Sequence, residues 1–235
     1  MTNVKTYRSY RGLPTLAGLS SIEDAAKPGL SVEACVARLK RYHYAFMRLH
    51  EILTARITAE PIYELKTGFS HHAYLCAEHV TALRQRIGEM REPPLGLEEI
   101  PHEALQIFFD EILAAPTTEA LLLGIYEKAL PALDAALQQH LRDSNPLTDA
   151  PSVRVIRFAR LEIADMLDFG HQAIACLLDE AKRAEYYEWS ADLDHRLQMS
   201  GGVDGVERAL NGQLERRYSG EPFVYDRVPK RDERF

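Results

Sequence analysis

The chain has 235 residues, 46% apolar and 27% charged, with a formal net charge of −7, a composition that suits a globular protein with one substantial core or two small ones. An acidic excess argues against nucleic acid or an anionic membrane as the main partner, because both demand a concentrated basic surface. No run approaches the roughly 18 uncharged apolar residues of a membrane span, and MTNVKTYRSYRG lacks the apolar stretch of a secretion signal, so a cytoplasmic location is expected.

Residues 1–30 are rich in Gly, Pro, Ser and Thr and are expected to form an irregular N-terminal arm packed on the body. Helical periodicity then takes over. Ser31 is a natural N-cap for a first long helix, whose apolar stripe is Cys35, Leu39, Tyr42, Phe46, Leu49 and Leu53. Pro61 opens a second helix that runs to about Met90, where Pro93 and Pro94 end it, and LGLEEI is a loop. PHEALQIFFDEILAA reads as a short connecting helix.

Thr117 or Thr118 caps a third long helix, with Glu119 in its first turn. Within it Pro131 cannot donate to the carbonyl of Glu127, so a kink is predicted there. A fourth helix spans roughly 152–180, and EAKRAEYYEWSADLDHRLQM continues it or forms a fifth. Gly201, Gly202 and Gly205 mark a break, GVERALNGQLERRY is amphipathic enough for a short helix with NGQ as an isolated turn, and PFVYDRV is the one candidate strand. The expected class is therefore all-α: an up-and-down four-helix bundle over 31–180, followed by a C-terminal helical extension and charged tail over 181–235. Cys35, Cys76 and Cys176 are far apart, each in an apolar helical context, and read as reduced packing residues.

Polar residues interrupt these helices in a pattern. In the second, Leu65, Phe69, His72, Cys76, His79, Leu83 and Met90 form the inward seam, while Glu64, His71 and Glu78 run beside it. In the third, Glu127 and Asp134 interrupt a leucine stripe. In the fourth, Ile156, Ala159, Ile163, Met166, Gly170, Ala173 and Leu177 adjoin a second stripe, Val155, Phe158, Glu162, Asp165, Phe169 and Cys176. A buried carboxylate needs a counter-charge or a metal, so Glu162 and Asp165 are expected to meet a histidine of the second helix, an arginine such as Arg157 or Arg160, or an ion. The first helix offers His43, Met47 and His50, with Glu51 rotated away.

The phrases AEHVTALRQRIGEM and NPLTDAPSVR, with the order of four long helices over about 30–180, resemble bacterial ferritin-like proteins of poorly characterised function. That resemblance implies a two-metal carboxylate centre, usually iron, built from one Glu on each of two helices and a Glu-x-x-His pair on each of the other two. The chain departs from the pattern. Glu162 is followed by Asp165 where His is expected, Glu78 is followed by Thr81 with His79 adjacent, Glu127 matches a lone glutamate, and Glu51 matches only if its helix is rotated.

Three readings follow. In the first, His72, His79, Glu127, Glu162 and Asp165, with Glu78 at the edge, hold two iron or manganese ions of an oxidoreductase acting on an unidentified small molecule. In the second, His72 and His79 with Cys76 hold one zinc. In the third, the bundle binds no metal, its histidines hydrogen-bond to the acids opposite, and it serves as a binding or assembly module. Such bundles can form homodimers through a remaining apolar face, which the sequence does not identify. No nucleophile elbow, P-loop or dinucleotide fingerprint is present.

Overall fold

A computed structural model describes residues 7–91, 93, 96–210, 212 and 214–235. The first six residues of the arm, Pro94 at the end of the second helix, and Asn211 and Gln213 of the NGQ turn lie outside it. The described residues are helical or irregular, without a strand.

The arm holds two single 3₁₀ turns and a short helix α1 (Ile22–Ala25). It is anchored where Asn145 donates from Nδ2 to the carbonyls of Ala25 and Lys27, both at 2.9 Å. Helix α2 (Val32–Arg56) begins at Ser31, whose hydroxyl accepts from the amide of Ala34. Helix α3 (Tyr63–Met90) has no side-chain cap of its own at Ile62. The tail supplies one instead: Asp232 accepts from the amide of Tyr63 at 2.9 Å, while Arg234 pairs with Glu64.

Helix α4 (Glu103–Leu113) is the expected connector, started by His102. Thr117 then caps α5 (Thr118–Leu122), which passes into a π-helical turn over Leu123–Ala129 and on into α6 (Leu130–Asp143). The predicted kink at Pro131 is thus resolved as a widened turn just upstream. The wider ring lets the chain pass a proline that lacks a donor without a sharp bend.

Helix α7 (Ala150–Leu177) is followed by α8 (Glu180–Glu185) and α9 (Tyr187–Met199), so the segment after 180 forms separate helices. The most extensive packing is between α2 and α3, and α7 lies against α3, α6 and the π turn. Two glycines permit this approach. A Cβ on Gly170 would stand 2.1 Å from Cγ of Tyr126, and one on Gly68 would stand 2.5 Å from Cζ of Phe169.

Three local expectations are corrected. The stretch 205–218 has no helix among its described residues. Gly201, Gly202 and Gly205 take φ of 73°, 78° and 73°, and the backbone that follows is spent on α4. There the fully buried carboxylate of Glu111 accepts from the amides of Arg217 (2.7 Å) and Tyr218 (2.9 Å) and from the hydroxyl of Ser219 (2.8 Å). PFVYDRV is irregular, because no strand among the described residues stands beside it to receive its hydrogen bonds. Cys176 is exposed, unlike Cys35 and Cys76, because the second stripe of α7 turns out of the core: Phe158 and Asp165 on the same line are exposed as well. No helix of the described residues is long and apolar enough to cross a membrane.

Candidate metal centre

The six residues picked out by periodicity do not converge. His72 is buried, with its Nδ1 2.8 Å from the hydroxyl of Tyr126 and its ring edge-on to Phe169. Burial lowers its pKa from 6.5 to about 4, helped by neighbouring His71, so the ring is neutral. His79, two turns on, packs against Phe46 with ring centroids 4.8 Å apart. Its Nε2 lies 2.7 Å from Oε2 of Glu162, a contact that becomes a charge pair only when the ring is protonated. Burial pulls the pKa of His79 down, and Glu162 opposes the shift.

The remaining carboxylates have other occupations. Glu127 is held by both guanidinium nitrogens of Arg183, at 2.6 and 2.8 Å. Glu78 and Asp165 are exposed. Asp134, the second acid of its stripe, is gripped by Arg160 at 2.7 and 3.0 Å. Two of these acids thus go to arginines and two to solvent, leaving His79 and Glu162 as the one close contact among the six. A dinuclear centre does not fit this arrangement.

A different set does come together. Sγ of Cys35 lies 3.7 Å from Nε2 of His140 and 3.3 Å from Oδ2 of Asp149, and the three ligand atoms fall within 4.8 Å of one another. Cys35 is in the first turn of α2, His140 in the last turn of α6, and Asp149 immediately precedes α7. Met90, the final residue of α3, brings its Sδ to 3.7 Å from the same thiol. Four helix ends thus meet at one point.

The surroundings order these groups. Arg86 donates to Oδ1 of Asp149 at 2.8 Å and to the hydroxyl of Ser152 at 2.8 Å, leaving Oδ2 turned toward the thiol. His140 is fully buried beside Tyr42, with ring centroids 5.6 Å apart, and its Nδ1 has no hydrogen-bond partner among the described residues. Burial, together with Arg38, lowers its pKa from 6.5 to about 4, so it presents a neutral imidazole. Burial and the adjacent Asp149 push the Cys35 thiol up to about 12, so without a cation it is protonated and donates to Asp149.

Sequence periodicity had no access to this cluster. Cys35 reads as an ordinary member of an apolar stripe, and His140 and Asp149 sit at a helix end and in a turn, where periodicity says nothing about partners. The usable signal was NPLTDAPS, a turn that returns the chain beside the start of α2. No family model, curated protein or solved structure matches the chain.

Proposed function

We propose that the chain is a ferritin-like four-helix bundle whose metal chemistry is mononuclear, a binding or assembly module in which Cys35, His140 and Asp149 hold one divalent cation of zinc type, with Met90 beside the fourth position. The observation that carries this is the spacing of the donors. Bonds of about 2.3 Å to sulfur and about 2.0–2.1 Å to nitrogen and oxygen, meeting at tetrahedral angles, set donor atoms roughly 3.5 Å apart. The thiol stands at 3.7 Å and 3.3 Å from its two neighbours. Thiolate, imidazole and carboxylate together suit zinc better than a hard cation. The four long helical runs, in the order expected of ferritin-like bundles, support the architectural part of the reading.

Burial supports a structural role over a catalytic one. Cys35 and His140 are sealed from solvent, whereas a catalytic metal keeps an open position for substrate. A cation here clamps the ends of α2, α3, α6 and α7, and its affinity contributes directly to the stability of the folded chain. The metal-free alternative uses the same atoms as a thiol-to-carboxylate hydrogen bond neutralised by Arg86. Metal analysis of protein from metal-replete cells, followed by zinc titration of chelated protein, separates them. One equivalent of zinc, lost in Cys35→Ser and His140→Ala, is the expected result. Two equivalents of iron unaffected by Cys35→Ser, or no binding in the titration, overturns the reading.

A further inference from the structure

Helix α7 carries a face that the other described residues leave open. Phe158 is 53% and Leu161 63% exposed, and Arg154, Arg157, Asp165 and Asp168 are exposed on the same helix. Arg154, Phe158, Leu161, Asp165 and Asp168 succeed one another by alternating steps of four and three, the spacing of a single seam along a helix. Arg154, Arg157, Phe158 and Leu161 line one shallow groove with Leu19 and Val153. The guanidinium of Arg154 rests over the ring of Phe158 at 4.8 Å.

Charge along this seam is divided. Both arginines precede Leu161 and both aspartates follow it. Arg157 and Asp165 are separated by about 12 Å of helix rise, and Arg154 and Asp168 by about 21 Å, so neither pair can close within one helix. Reversing the helix about Leu161 maps Arg154 onto Asp168, Arg157 onto Asp165, Phe158 onto Ala164, and Leu161 onto itself. The face is complementary to its own antiparallel image.

We propose that this face of α7 is a self-association surface, on which a second copy of the chain docks antiparallel about a two-fold axis at Leu161. Each Arg157 then meets the partner's Asp165, each Arg154 meets the partner's Asp168, and each Phe158 packs on the partner's Ala164. Two-fold symmetry makes every contact occur twice. An acidic helix from another protein would satisfy the arginine half and oppose the aspartate half, whereas a second copy satisfies both. Charge complementarity sets register and orientation, and the apolar centre excludes water.

Sedimentation of the full chain tests this. The wild type is expected to be a dimer, and Arg157→Glu and Asp165→Arg are each expected to raise the dissociation constant by at least about tenfold, since each creates two like-charge contacts. All these positions are exposed, so the variants fold. The double variant Arg157→Glu/Asp165→Arg restores opposite charges and is expected to recover the dimer. In a Cys176→Ser background, Leu161→Cys should yield a disulfide-linked dimer on oxidation, because the axis brings the two thiols together. A wild-type monomer at the highest attainable concentration, a dimer indifferent to the single reversals, or single-variant losses that the double variant does not repair would each overturn the proposal.

Discussion

Two buried polar clusters in this protein are built from similar side chains and reach different ends. Around His72 and His79 both histidines belong to one helix and lie two turns apart, so each meets a different neighbour: Tyr126 for the first, Phe46 and Glu162 for the second. Around Cys35 the donors come from separate helix ends, and each can be aimed at the same point. Groups spaced along one helix tend to be distributed among partners. Groups at the termini of several helices can be gathered, since their positions are set by how the helices stack and turn.

The sharpest way to break this contrast is through bound metal. Cys35→Ser and His140→Ala are expected to abolish zinc binding, whereas His72→Ala and His79→Ala should retain one equivalent by elemental analysis. Loss of metal in the second pair would return the centre to the middle of α3. Because the Cys35 thiol is held up to about 12, binding should also release a proton, and affinity should fall as pH is lowered.

The next effects concern stability. Gly170→Ala should cost about 1–3 kcal/mol in urea unfolding, since the added methyl collides with the fully buried Tyr126. Tyr126→Phe should cost a similar 1–3 kcal/mol, roughly the penalty of leaving Nδ1 of His72 buried without a partner. Neither should change the metal content. A Tyr126→Phe variant as stable as wild type would remove the His72 contact from the factors that hold this region.

Acid titration sharpens the comparison further. His72 has a folded pKa of about 4 against 6.5 ordinarily, so as pH falls through 6.5 the unfolded chain takes up the proton first. Stability from this group is therefore intact above 6.5 and declines between 6.5 and about 4, by at most about 1.4 kcal/mol per pH unit. The slope should be shallower in His72→Phe. Smallest of all, Glu127→Gln should change stability by no more than about 1 kcal/mol, as expected for a partly exposed ion pair with Arg183. Its metal content should match wild type; a loss would speak for a carboxylate centre after all.

Much of the architecture was legible because helix formation is local. Ser31 and Thr117 cap helices as their side-chain chemistry suggests, and the inward stripes of α2 and α3 are buried as their periodicity requires. His72 and His79 are buried for the same reason. The acids were harder to read. Glu127, Asp134 and Asp165 share the angular neighbourhood of apolar residues, but the π turn and the rotation of α7 decide whether such a position faces a histidine, an arginine or water.

From the sequence alone come the helical class, the helix starts, the seams and the absence of familiar nucleotide or hydrolase motifs, all properties of short range along the chain. Tertiary structure alone decided that Glu127 belongs to Arg183, that Glu111 receives the returning backbone at 217–219, and that Cys35, His140 and Asp149 share one point. Periodicity reports which way a side chain leaves its own helix. What stands opposite depends on the rotation and register of another helix, and those are set by the packing of the whole core.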